Sequence, residues 1–249
     1  MYFEEQQFLV SIVTVTMNCE ATIQRTLDSV RKIKSNLIEY IVIDGHSTDT
    51  TVSIVKSSID LVDVLVSEKD TGIYNAMNKG VSNATGKYIM FINGDDRIVA
   101  DGFNKAIGIL KDKSPEILSC SCDIYSEKNE KLSVLSPNPK RLYFYNSIPH
   151  MTTFVLSSLQ RKYKFREDLM IASDYDFFVK LYLDGYDFML SEHVTAAHYQ
   201  GGASSDVQLS LSEIDIVRKE NYSSIIYFLM ISYERIKKSL RATLKLCID

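Results

Sequence analysis

The chain has 249 residues, with 28 Lys plus Arg against 32 Asp plus Glu and a formal net charge of −4; this is room for one large α/β domain or two small ones burying about 70% of the unfolded surface. The acidic balance removes the electrostatic motive for general nucleic-acid binding, and the four scattered cysteines make neither a disulfide framework nor a zinc set. No apolar run approaches the roughly 20 residues of a membrane span, and the opening MYFEEQQFLV carries two acids and no basic region, unlike a secretory signal.

Residues 9–16, LVSIVTVT, are β-branched and apolar and read as a buried strand; the polar turn MNCEAT follows, and Ile23, Leu27 and Val30 then recur at helical spacing. YIVID (40–44) is the next strand, ahead of GHSTDTT and a helix whose N-cap is expected at Ser47 or Thr48. VDVLVSE then reads as a strand, GIYNAMNKGVSNA as a helix, and YIMFI as a fourth strand, followed by the adjacent carboxylates Asp95 and Asp96. Such alternation predicts a mostly parallel α/β sheet with helices on both faces. Beyond residue 101 the pattern loosens: GFNKAIGIL as a helix, EILSCSCDIY and LSVLS as strands, irregular chain around Pro137, Pro139 and Pro149, a helix from Asp174 to Leu183, then strand-like YDFML and VTAAHY and the loop QGGASS. Cys120 and Cys122 share one face of a strand, where core packing is the expected role. The organisation expected is one domain over 1–220, regular over 1–100 and elaborated over 101–220, and a helical extension over 221–249.

In open parallel sheets ligands bind beyond the carboxyl ends of the strands. Polar residues collect there: Thr14 to Asn18 after the first strand, Asp44 after the second, Glu68 and Asp70 after the third, Asp95 and Asp96 after the fourth. One such Asp is ordinarily a turn former; acids at several strand ends point to a cleft.

SIVTVTMN, IVIDGHSTDTT, SEKDTGIYNAMNKGVSNATGKYIMFINGDD and IASDYDFF together resemble the family 2 glycosyltransferases of GT-A fold, above all bacterial enzymes that build O-antigens, capsules and colanic-acid-type exopolysaccharides. The resemblance covers residues 9 to about 200. It implies transfer of a hexosyl or hexosaminyl group from a nucleotide-sugar, UDP-linked in most relatives, to a saccharide or lipid-linked saccharide acceptor, with inversion and with Mg²⁺ or Mn²⁺ on the diphosphate. A cation there would stabilise the charge that builds on the leaving group, and hard cations take carboxylate oxygens. By the same resemblance Asp96 is expected on the metal and Asp95 on the ribose and the metal. Thr14, Asn18, Asp44, Asp70 and Gly72 are expected along the nucleotide, and Lys79 either on the diphosphate or merely exposed on its helix. Asp174 matches the base that takes the acceptor proton, a role a helix cap could share. His198, ahead of YQGGASS, is expected at the metal or diphosphate, and His150, in IPHMTTF, on the acceptor side. Asn93 and Asn75 stand where many relatives carry Asp.

In the last 29 residues Ile225, Leu229, Tyr233, Ile236, Leu240 and Leu244 recur every three or four positions, beside Arg235, Lys237, Lys238, Arg241 and Lys245. This amphipathic, basic helix suits a membrane surface, or packing on the domain or a second subunit in a homodimer. The expected location is the cytoplasm or the inner face of the cell membrane. Two other functions are compatible with the fold: a non-catalytic nucleotide-sugar-binding module, and a sugar-nucleotidyltransferase, which would need a Gly-rich basic loop that TVTMNCEAT lacks. A dinucleotide dehydrogenase would need G-x-G-x-x-G after the first strand, also missing.

Overall fold

A computed structural model describes residues 8–201 and 206–246, with the backbone alone for 238–246. The opening heptapeptide, residues 202–205 of the QGGASS loop and Cys247 lie outside the described residues.

Strands β1 (Val10–Thr16), β2 (Ile38–Asp44), β3 (Val64–Ser67) and β4 (Tyr88–Asn93) are parallel in the order 3-2-1-4, joined by helices α1 (Ile23–Arg31), α2 (Thr51–Lys56) and α3 (Ile73–Asn83). Every residue of β1 and β2 is buried, as expected of strands covered on both faces. The pleat divides them: Val13 and Val15 join one apolar layer with Tyr74, Met77 and Val81 of α3, while Val10 and Ile12 join the other with Ile23, Leu27 and Val30 of α1. Helix α2 starts at Thr51 with Thr50 as N-cap, later than the spacing predicts. Ser47 and Thr48 are used elsewhere: Ser47 donates from N and Oγ to Asp44, and Thr48 N donates to Asn18 Oδ1 at 2.9 Å.

The second half extends the same sheet. Strand β5 (Arg97–Ile98) follows the paired carboxylates directly; α4 (Ala100–Lys113), β6 (Ile117–Tyr125), β7 (Lys131–Leu135), β8 (Thr153–Leu156), α5 (Ser157–Tyr163), α6 (Ser173–Leu183) and β9 (Phe188–Tyr199) come after. The sheet order is 3-2-1-4-8-6-9-5, with β7 added beside β6. YDFML and VTAAHY are one strand, because β9 runs parallel to β6 through register shifts at Cys120–Cys122 that absorb the polar residues between them. Both cysteines lie in the core, and burial pushes their thiols up to about 12. Helices α1, α2 and α4 cover one face, and α3 and α6 the other.

Helix α7 (Val207–Asn221) is capped by Asp206, whose side chain accepts from Leu209 N at 3.0 Å. Helix α8 (Ser224–Leu246) touches the domain through buried Met230, through Tyr233 against Phe144, and through an ion pair of Glu234 with Arg218 at 2.9 Å. Ile225, Phe228, Leu229 and Ile236 of α8 are exposed. No helix among the described residues is long and apolar enough to cross a membrane.

Candidate active site

The Gly94–Asp96 turn is pinned from α1. Thr22 Oγ1 donates to Gly94 O at 2.9 Å, Arg25 to Asp95 O, and Thr26 Oγ1 to Asp96 O at 2.6 Å. These residues sit three and four apart on one helical face, and that spacing was the signal for them in the sequence. The turn presents its two carboxylates differently. Asp96 is fully buried: Oδ1 accepts from His198 Nδ1 at 2.9 Å and Tyr199 N at 3.1 Å, and Oδ2 from Asn93 Nδ2 at 3.3 Å. Asp95 is half-buried and has no side-chain partner of its own; burial, then the neighbouring charge of Asp96, raise its carboxyl above the ordinary range. Strand β5 explains the contact with His198, since its pairing with β9 (Arg97 with Ala197) brings the end of β9 to the turn.

The expectation that Asp96 is the main metal ligand therefore meets a carboxylate with no exposed surface. An ionised Asp96 only accepts, so His198 Nδ1 carries the proton, and among the described residues Nε2 has no hydrogen-bond partner. Burial disfavours the imidazolium, but the hydrogen bond to Asp96 and the charges of Asp96 and Asp95 outweigh it, and the His198 pKa is raised. Beside these groups Asn93 Oδ1 and Thr16 Oγ1 are buried and unpartnered. A half-buried carboxylate, an orphaned amide oxygen and a free imidazole nitrogen suit a divalent cation. Among the described residues no three His, Cys, Asp or Glu converge as a complete metal cage.

The nucleotide-side expectations divide as well. Thr14 lies inside β1, fully buried and 3.0 Å from Tyr40 Oη, so it does not line the cleft. Asp44 is also fully buried, accepting from Ser47 and from Ser67 Oγ at 2.7 Å, and braces the β2 end without exposing an oxygen. Asn18 is at the surface in a left-handed conformation (φ 51°) and ties the loops after β1 and β2 together. Asp70 accepts from Gly72 N at 3.1 Å and packs against Gly45, where an added methyl would collide with its carboxylate. Gly72 has φ 141°, closed to L side chains, and delivers the chain into α3. Lys79 is engaged with Glu68 and Lys69 O, both at 2.9 Å, so it braces the loop carrying Asp70 and is not free for a diphosphate.

Asp174 opens α6 and is 8% exposed. Its Oδ1 accepts from Tyr175 N at 2.8 Å and lies 3.3 Å from Tyr74 Oη, whose hydroxyl donates to Ile171 O at 2.5 Å; its Oδ2 accepts from Asn146 Nδ2 at 2.8 Å and lies 3.3 Å from His150 Nδ1. The N-cap of α6 is Ala172, so Asp174 lies inside the first turn and does not cap the helix. Tyr74 stands two residues past Gly72, and the 3₁₀ turn His150–Thr152 packs on β4 and β9, so Asp174 faces the carboxyl-end edge of the first half. The preceding loop is clamped by buried Glu213 of α7, whose carboxylate accepts from Met170 N, Ile171 N and Ala172 N at 2.7–2.9 Å. Nothing in the sequence marks Glu213, because its partners lie more than 40 residues away. Asn75 and Asn78 of α3 donate to Glu167 in the same loop, both at 2.9 Å, where an Asp at 75 would repel it.

A sheet parallel in its first half and mixed in its second, covered by helices on both faces, with acids at its carboxyl-end edge, is the GT-A architecture. The structure of S. aureus TarS 1-349 in complex with UDP-GlcNAc superposes with a TM-score of 0.69 at 19% identity, over 84% of this chain and 64% of that one, and this chain spans 39% of the longer S. aureus TarS chain it also superposes on. The mannosyltransferase PcManGT from Pyrobaculum calidifontis, in complex with GDP-Man and Mn²⁺, superposes with a TM-score of 0.63 at 20% identity, over 90% of this chain and 68% of that one. A PGL/p-HBAD biosynthesis glycosyltransferase of Mycobacterium bovis is 28% identical over 206 residues, 79% of each chain. Residues 11–174 match the model of glycosyl transferase family 2. The chain belongs to that family and is a glycosyltransferase.

Proposed function

We propose that this glycosyltransferase moves a hexosyl or hexosaminyl group, with inversion, from a nucleotide-sugar of the UDP type to a saccharide acceptor carried on a lipid, in the assembly of a bacterial surface polysaccharide. The observation that carries the reading is the division of carboxylates along one edge of the sheet. Asp95 stands half-buried and unpartnered at the end of β4, and Asp174 stands at the start of α6, beside Tyr74 and His150. An anionic leaving group and an acceptor hydroxyl need opposite help: positive charge for one, a proton acceptor for the other.

A Mg²⁺ or Mn²⁺ ion would be held by Asp95 and His198, with Asn93 Oδ1 as a neutral oxygen ligand, and would supply charge stabilisation for the leaving diphosphate. In this reading Asp96 orients His198 through Nδ1, as carboxylates commonly orient metal-binding imidazoles. Asp70, Asn18 and the Gly72 backbone face the nucleoside. The free apolar stripe of α8, with exposed Arg235 and Lys237 beside it, favours a protein that meets its acceptor at the inner face of the membrane. A non-catalytic binding module is less favoured, because the contact of Asn75 with Glu167 accounts for that Asn without any loss of chemistry.

Thermal shift with UDP, GDP, CMP and dTDP, each with and without Mn²⁺, tests the donor site. The expected result is stabilisation by one nucleotide that needs Mn²⁺, is abolished in Asp95→Ala, and is weakened in His198→Gln. Stabilisation by none of the four would overturn the reading.

A further inference from the structure

Along one side of α1 Gln24, Asp28 and Lys32 recur every four positions, with Arg25 in the adjoining row, so their side chains share a face. That face is one wall of a cavity of about 670 Å³; the other wall is β5 and the start of α4, from Arg97 to Ala100. Two guanidinium groups are held at it by aromatic rings. Arg25 Cζ lies 3.6 Å from the centre of the Tyr199 ring, and Arg97 Cζ lies 5.7 Å from the same ring and 5.1 Å from that of Tyr125. Stacking takes the flat face of a guanidinium and leaves its in-plane N–H donors for another group. Arg25 gives one donor to Asp95 O. Arg97, half-buried, gives none to an acceptor among the described residues.

Other cations of the α1 region are neutralised where they stand, Arg31 by Asp60 and Lys34 by Asp63. Arg25, Lys32 and Arg97 form no ion pair among the described residues, and the one carboxylate on the cavity wall, Asp28, accepts from Gln24 Nε2 at 2.9 Å. Three cations against one acid, in a chain of net charge −4, make this a local positive site. Its volume is within the roughly 300–1,000 Å³ of small-molecule pockets. The start of α4 adds to the same sign: its N-cap, Val99, has no side-chain oxygen to cap the first-turn N–H groups, and the first-turn acid Asp101 is paired with Lys105.

We propose that this cavity binds a phosphate-bearing anion of about the size of a diphosphate, with Arg97 and Arg25 as forked donors and Lys32 as a third charge. Planar forks fixed beside one another suit an oxyanion with several charged oxygens. The site needs neither a nucleotide nor a cation, so it stands apart from the donor reading. Arg25 joins it to the Gly94–Asp96 turn, because the guanidinium on the cavity wall is the one that pins Asp95 O.

Equilibrium dialysis of the full chain against radiolabelled inorganic diphosphate, with EDTA and about 150 mM NaCl, tests this. With cations chelated, the charges of Asp95 and Asp96 disfavour diphosphate at the carboxyl-end edge of the sheet, which leaves the cavity to be read. The wild type should bind with a Kd below about 1 mM. Arg97→Gln combined with Lys32→Gln should lose at least about tenfold in affinity. Lys56→Gln combined with Lys111→Gln removes the same charge from exposed positions outside the cavity and should stay within about twofold of wild type. Lys32→Glu alone, at an exposed position, should also weaken binding at unchanged Tm, so the test survives a folding defect in the Arg97 variant. No binding by the wild type up to about 10 mM, unchanged affinity in both cavity variants, or an equal loss in the Lys56 and Lys111 control would overturn the inference.

Discussion

Two carboxylates that look alike as letters differ in access once folded. Asp95 and Asp96 are neighbours, yet Asp95 is half-buried with no side-chain hydrogen bond among the described residues, while Asp96 is fully buried with a set of donors. Glu167 gives a titration that can be followed without substrate. Hydrogen bonds from Asn78 and then Asn75 hold its carboxyl below the ordinary value of 4.5. A depressed carboxylate contributes stability that is present above the unfolded pKa and lost as pH falls through the folded one. Melting temperature followed from pH 6 to 3 should therefore fall more steeply in wild type than in Glu167→Gln, with the two curves converging at the acid end. The difference should be small, because the group is largely exposed. Parallel curves would mean that the contact is absent in solution.

At the scale of elements, the loop before α6 depends on α7. Glu213→Gln replaces one carboxylate oxygen with a donor that faces backbone N–H groups, leaving at least one of them buried and unpaired, at a cost of about 1–3 kcal/mol. For a chain of this size that is a fall of several degrees in Tm, readable by calorimetry. Helix α8 makes a separate prediction. Its exposed Ile225, Phe228, Leu229 and Ile236 should carry the protein down with vesicles rich in anionic lipid, and much less with neutral ones. Phe228→Asp combined with Leu229→Asp should release it into the supernatant at unchanged Tm. Equal sedimentation of the double variant would point away from a membrane role for this stripe.

Across the whole molecule, helix α3 links the two halves. It leaves β3 through Gly72, lies on β1 and β2, and carries Tyr74, Asn75 and Asn78 to the loop before α6. It lies close because Gly80 faces Val13, where an added methyl would collide with the valine side chain. Gly80→Ala should lift the helix at a cost of about 1–3 kcal/mol of stability, measurable by denaturant titration.

The alternation of strands and helices and the gathering of polar residues at the carboxyl ends of the strands were legible in the sequence. They follow from periods of 2.0 and 3.6 residues and from polar residues at strand ends, which are local properties of the chain. Motifs of the first half, residues 1–100, were legible for the same reason. The merger of β9 and the late start of α2 were not, because register shifts and competing hydrogen bonds decided them. Neither was the state of each acid. Thr14, Asp44, Lys79 and Asp96 are already engaged by the protein, while Asp95, Thr16 and His150 keep an unpartnered polar atom or charge. Their partners are non-local: His198 lies 102 residues from Asp96, and Tyr74 lies 100 from Asp174. A sequence therefore determines which residues reach the edge of this sheet, and only the closed fold decides which of them remain free to act, because a buried polar group must be satisfied by whatever the fold places beside it.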